Sequence, residues 1–227
     1  MKCKSFSMIT ITNKQQFKQT DKLILNYFVP FSNGKFIATS LMYSDDVCNM
    51  LGTTERQNRL DRSDSWWNIE YSDVDFWWRD PRIDWFNSDD WFDNLTHVAR
   101  NAIADDKYCF FTCHEDYTVN FLKSEFPNAK IIQVIPDLDL CKRNFKAKRP
   151  DDDFSRILPE FNSFNPVRAD VTFKQTSIYN DNFLNEVETC ANTLGIRLNL
   201  DQVIQYRQLY LNNHFMRMVC NMDSDAQ

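Results

Sequence analysis

Residues 23–44 read LILNYFVPFSNGKFIATSLMYS. Leu23, Ile24, Leu25, Tyr27, Phe28 and Val29 form a nearly continuous apolar run. Such a run suits a strand of a parallel sheet covered on both faces, since neither face needs a polar side. Pro30 breaks it. The loop Ser32-Asn33-Gly34-Lys35 follows, and a helix is predicted over 35–44. Strand, short loop, helix is the grammar of a phosphate-binding turn. Backbone N–H groups at a helix N-terminus face an anion, the macrodipole favours its charge, and a lysine adds a point charge. The chain has only three glycines, Gly34, Gly52 and Gly195, and one of them lies in this loop. The full G-x-x-x-x-G-K-[ST] pattern is absent. Two readings therefore stand: an anion cradle in which the backbone of residues 33–36 supplies the donors, or an ordinary turn between a core strand and a core helix.

Outward from the loop, the same grammar recurs. YCFFT at 108–112 reads as a short strand, and HEDYTVNFLKSEFP as a helix with Val119, Leu122 and Phe126 on one side. Pro127 ends that helix. KIIQVI at 130–135 is a second buried strand. Strand, helix and strand so close together make a βαβ unit with a right-handed crossover. LDLCKRNFKAKR continues as a helix with a basic end, and 170–174 reads as one further strand. A helix over 180–194 closes on Gly195 as its C-cap. A last helix, DQVIQYRQLYLNNHF, follows, and NMDSDAQ reads as an unstructured tail. These alternations predict an α/β fold, a three-layer sandwich with a mainly parallel sheet.

At 227 residues the chain is expected to be one domain, and 43% apolar residues suffice for a substantial core. Residues 52–94 stand apart. All six tryptophans (66, 67, 77, 78, 85 and 91) fall there, among many Asp and Arg. The segment reads as an insertion or cap. Its aromatics serve packing on one reading and a sugar-stacking platform on the other. DNLTHVARNAIA at 93–104 reads as a helix.

A net charge of −6 and a pI of about 5.1 argue against a nonspecific nucleic-acid binder. No apolar segment is long enough to span a membrane, and no signal peptide is visible. Seven scattered cysteines then read as reduced thiols in a cytoplasmic protein. Cys109, Cys113 and His114 lack the further ligands a zinc site needs, so no metal is expected. Two buried thiols on a strand is the alternative.

Taken in order, four segments resemble the sulfotransferase superfamily. VPFSNGKFIATSL (29–41) resembles that family's 5′-phosphosulfate loop, Pro-Lys-Ser-Gly-Thr-Thr-Trp followed by an apolar helix. Pro30 and Ser32 match; Gly34 lies one residue late, and Lys35 stands where a hydroxyl residue is usual. FFTCHEDYTVNFLKSEFPNAKIIQVIPD (110–137) resembles the block that runs from Lys-Thr-His through Asn-Ala-Lys-Ile-Ile to Arg-(Asn/Asp)-Pro. LDLCKRNF (138–145) follows where the family binds the nucleotide 3′-phosphate, and NFLNEVETCANTLGIRLNLDQV (182–203) resembles its C-terminal helices. The resemblance implies a P-loop nucleotide-transferase type of fold. It implies 3′-phosphoadenosine 5′-phosphosulfate as donor, and a small-molecule or carbohydrate hydroxyl (or an amine) as acceptor. His114 stands where the family's base stands, with Glu115 as a fallback. Lys35, in the same loop, is expected to supply the catalytic cation. Ser32, Asn33, Gly34, Lys35 and Phe36 form the donor loop, and Lys142 and Arg143 take the 3′-phosphate. Two positions depart from the pattern: Pro136 replaces the arginine after the second strand, and Cys141 stands near the place of a serine.

Each of these residues also has a bland reading. His114 is then a hydrogen-bonding residue at a strand end, and Lys142, Arg143, Lys146, Lys148 and Arg149 a solvated helix end that suits the dipole. His97 and His214 lie in helical patterns and read as structural. Three functions remain: a sulfotransferase-like enzyme, a catalytically degenerate binding or assembly protein of the same fold, and a small nucleotide kinase with Asp137 as its metal-binding carboxylate.

Overall fold

The computed structural model describes residues 18–47 and 106–224. The Trp-rich segment at 52–94, the helix predicted over 93–104 and His97 lie outside the described residues.

Four strands, β1 (Leu23–Tyr27), β2 (Cys109–Cys113), β3 (Lys130–Ile135) and β4 (Val171–Lys174), form one sheet in the order β2-β1-β3-β4. Every pairing is parallel. Leu25 lies opposite Phe111 on one side and Ile131 on the other, so β1 is central. All five residues of β1 and all five of β2 are buried, as their sequences require. Cys109 and Cys113 are both buried on β2.

The helices among the described residues are α1 (Gly34–Leu41), α2 (Asp116–Glu125), α3 (Leu138–Lys148), α4 (Leu158–Asn162), α5 (Phe183–Leu194) and α6 (Leu200–Ser224). α1 links β1 to β2, and α2 carries the chain back past β1 to β3. Right-handed crossovers then put α1 and α2 on opposite faces. The result is an α/β fold with an all-parallel sheet flanked by helices, consistent with a three-layer sandwich. One layer is aromatic: Phe36 of α1 packs at 5.4 Å from Phe183 of α5, and at 5.1 and 4.0 Å from Tyr206 and Tyr210 of α6. Truncating a buried Phe of this kind costs about 3–5 kcal/mol.

Element ends follow local chemistry. Asp137 caps α3 by accepting Leu140 N–H at 2.9 Å. Gly195, at φ 79°, ends α5 in the left-handed conformation. One expectation is corrected: α6 runs to Ser224, so residues 221–224 are helical and not tail. No Gly or Pro follows Leu200, and a helix once started propagates cheaply until a breaker stops it. No helix among the described residues is long and apolar enough to cross a membrane.

Candidate functional site

In an open parallel sheet, ligands bind beyond the strand C-termini where the chain leaves neighbouring strands in opposite directions. Here that point lies at the end of β1. The loop from Phe28 to Asn33 emerges there, beside the end of β2 and its next residue, His114.

The loop is closed tightly. Ser32 N–H and Oγ both donate to the Val29 carbonyl, at 3.2 and 2.7 Å, and Ser32 is fully buried. Its hydroxyl is therefore used inside the turn. Phe31 and Asn33 both adopt positive φ, 68° and 66°. Asn tolerates this region, but a bulky aromatic there is an outlier. Sparsely populated conformations cost on the order of 1–3 kcal/mol each and persist only where the surroundings enforce them.

The surroundings here are a set of side-chain amides and phenols. Asn144 Nδ2 donates to Phe31 O at 2.8 Å and to Asn33 Oδ1 at 2.6 Å. Gln175 Nε2 donates to the same two oxygens, at 3.1 and 2.7 Å. Asn33 Nδ2 donates to the Tyr210 hydroxyl. Tyr179 Oη donates to Asn144 Oδ1 at 3.3 Å. Asn33 thus turns its side chain inward and does not cap the first turn of α1. The donors of a first turn are the physical basis of an anion site, but the Phe36 N–H expected among them is already bonded to the Asn33 carbonyl at 2.9 Å, which leaves the amides of Gly34 and Lys35.

Gly34 has a steric reason. A Cβ at this position would lie 2.1 Å from the Phe28 ring. That ring sits between the start of α1 and His114, whose ring it meets edge-on at 4.8 Å. Asn26 Nδ2 donates to Gly34 O at 3.1 Å, which pins α1 to the central strand.

His114 Nδ1 lies 2.7 Å from the Phe28 carbonyl oxygen. A carbonyl only accepts, so Nδ1 carries the proton and Nε2 keeps its lone pair. Burial holds the His114 pKa below its ordinary value; the carbonyl works the other way, and the Lys35 charge lowers it further. The ring is therefore neutral near pH 7, in the form a general base needs. The Lys35 charge therefore reaches the His114 ring.

Glu115 stands exposed at the start of α2 with no capping bond. On α3, helical phase decides which residues meet the loop. Cys141, Asn144 and Phe145 are buried, whereas Lys142 and Arg143 are exposed. Lys142 pairs with Asp139 at 3.9 Å. Asp137, the carboxylate a kinase would use, is engaged as the α3 cap. Among the described residues no group of three or more His, Cys, Asp or Glu is arranged to hold a metal ion.

Sequence reasoning missed Asn144, Gln175, Tyr179 and Tyr210. The apolar pair Cys141 and Phe145, at i and i+4, was a usable signal: it sets the phase of α3 and turns residue 144 inward. Comparison with protein-family models, curated proteins and solved structures finds no match to this chain.

An open groove of about 550 Å³, lined by Tyr43–Asp46 and Arg197–Gln202, lies away from this site at the N-terminal end of the sheet. Val47 and Tyr108, which bracket the Trp-rich segment, pair at that same end. Five residues of β2 separate Tyr108 from His114.

Proposed function

We propose that this chain is a sulfotransferase-like enzyme of P-loop type, cytoplasmic and independent of metal. It takes a sulfuryl group from 3′-phosphoadenosine 5′-phosphosulfate to the hydroxyl of a small molecule or carbohydrate. The observation that carries the reading is the His114 ring: Nδ1 is tied to the loop carbonyl of Phe28, burial holds the pKa below its ordinary value, and the Lys35 charge lowers it further. On this reading Nε2 takes the acceptor's hydroxyl proton as the acceptor oxygen bonds to sulfur. The bond from sulfur to the bridging phosphate oxygen breaks. Lys35 and the first-turn amides meet the charge left on the departing bisphosphate. Positioning and electrostatics carry most of such a transfer. The buried free thiols of Cys109, Cys113, Cys141 and Cys190 support a reducing compartment.

A second reading has its own observation. Pro136 and the outward-facing Lys142 and Arg143 leave the 3′-phosphate without an evident partner, which favours a binding or assembly module that keeps the loop but not the chemistry. The kinase reading is weaker because Asp137 already caps α3.

Thermal denaturation with adenosine 3′,5′-bisphosphate, with ATP and magnesium, or with no ligand separates the three. A ligand at about one hundred times its Kd stabilises the native state by about 2.7 kcal/mol. The bisphosphate should raise the melting temperature, and Lys35→Ala should weaken its binding by about 1.5–3 kcal/mol, the range for charged hydrogen bonds. A melting temperature unmoved by the bisphosphate overturns the donor assignment. Stabilisation by ATP alone favours the kinase. Bisphosphate binding with no sulfuryl transfer to any hydroxyl favours the binding module.

A further inference from the structure

We propose that Asn144, Gln175, Tyr179 and Tyr210 are positioning residues for the anion loop, holding Phe31 and Asn33 in their positive-φ conformation and so fixing the start of α1. This rests on the proposed anion-binding role of the loop.

The argument starts from two oxygens. The Phe31 carbonyl and Asn33 Oδ1 both point into the protein, and two acceptors side by side repel unless donors separate them. Asn144 and Gln175 each place one amide NH₂ across the same two oxygens, so all four amide hydrogens are used on them. The far ends of both amides are satisfied as well. Gln175 Oε1 accepts Asp137 N–H at 2.8 Å and the Cys141 thiol at 3.2 Å. Asn144 Oδ1 accepts from Tyr179 at 3.3 Å. With donors at one end and acceptors at the other, neither amide can flip without breaking several bonds.

The four residues come from α3, from the 3₁₀ turn after β4 (Gln175–Tyr179) and from α6. They therefore tie the loop to three separate elements. Both residues they hold, Phe31 and Asn33, have positive φ. A Gly would adopt that conformation unaided. The chain instead uses residues that need holding, and the grip determines where the α1 amides and Lys35 point. Satisfied buried networks of this kind specify one geometry.

Gln175→Glu tests the assignment. The substitution is isosteric but sets a carboxylate against Phe31 O and Asn33 Oδ1. Affinity for adenosine 3′,5′-bisphosphate is measured by calorimetry at a temperature where circular dichroism shows wild type and variant fully folded. At about pH 8 the variant should bind about tenfold more weakly, a size typical of coupling within a buried network. At about pH 5 the protonated acid regains one donor, and the ratio of wild type to variant should shrink several-fold, since burial raises a carboxyl pKa. Gln175→Met, which cannot titrate, should bind weakly at both pH values. Equal affinity of Gln175→Glu and wild type at both pH values overturns the proposal. So does a deficit in Gln175→Glu that ignores pH. If Gln175→Glu does not fold, Tyr179→Phe is read instead: a several-fold affinity loss in a folded protein supports the grip, and unchanged affinity overturns it. Wild type that binds no bisphosphate overturns the anion-loop reading itself, and the positioning role falls with it. That result is distinct from tight wild-type binding with an indifferent variant.

Discussion

The two ends of the sheet solve the same problem with different chemistry. At the N-terminal end, the turn between α5 and α6 uses Gly195 at φ 79° and an exposed ion pair between Arg197 and Asp46. At the C-terminal end, the turn between β1 and α1 puts Phe31 and Asn33 at positive φ and holds them with buried amides and phenols. The first solution needs little support, because Gly adopts the conformation freely and an exposed pair contributes little. The second is costly and buried. This chain can end a turn with Gly, so non-glycine residues at the loop are there for their side chains. Backbone strain held by a dedicated network is a feature of functional sites, and here it coincides with the neutral histidine and the uncapped helix start.

The contrast can be broken most forcefully at His114. On the proposed transferase reading, His114→Ala should lower sulfuryl transfer by about 10²–10⁴ while sparing bisphosphate affinity, because a general base acts in the transition state. The pKa of His114 is held down by burial, so the acid limb of wild-type turnover should fall below the ordinary histidine value of about 6.5. Near wild-type turnover in the variant would make the C-terminal end a structural turn like its counterpart.

Gly34→Ala acts on packing and should cost about 1–3 kcal/mol in urea denaturation, the range for overpacking a buried site, because the new methyl meets the Phe28 ring. An unchanged denaturation midpoint would mean that Phe28 moves aside freely and that the spacing between α1 and His114 is not fixed.

The smallest effect belongs to the N-terminal end. Arg197 hydrogen bonds hold the Asp46 carboxyl at a pKa of about 2, below its ordinary 3.8, although burial pushes the other way. A depressed carboxyl pKa stabilises the fold fully above the unfolded value, and that contribution is lost as pH falls toward the folded one. Wild type should thus lose a little stability between about pH 4 and pH 2, and Asp46→Asn should lose less over that window. Parallel stability curves for the two proteins would remove the pair from the account.

The legible part of this molecule was the part governed by local pattern. β1 and β3 announced themselves as nearly continuous apolar runs, and Pro127 and Gly195 marked helix ends. The side-chain grip on the loop was not legible in that way. Asn144, Gln175 and Tyr210 lie 111, 142 and 177 residues from the asparagine they hold. Polar residues at such separations carry no periodic signal. Lys142 and Arg143 drew attention by their place after β3, whereas helical phase leaves both exposed and turns Asn144 inward. The loop's own sequence also misled in one respect: Ser32 and Asn33 look like ligand donors, yet both side chains bond within the protein.

Amide and imidazole NMR during titration with adenosine 3′,5′-bisphosphate tests the central claim most directly, because it asks which end of the sheet the ligand meets. The account predicts the largest shifts at the amides of Gly34 and Lys35 and at the His114 ring. Shifts centred on Asp45, Asp46 and Arg197–Gln202, with the loop and His114 unmoved, would contradict it.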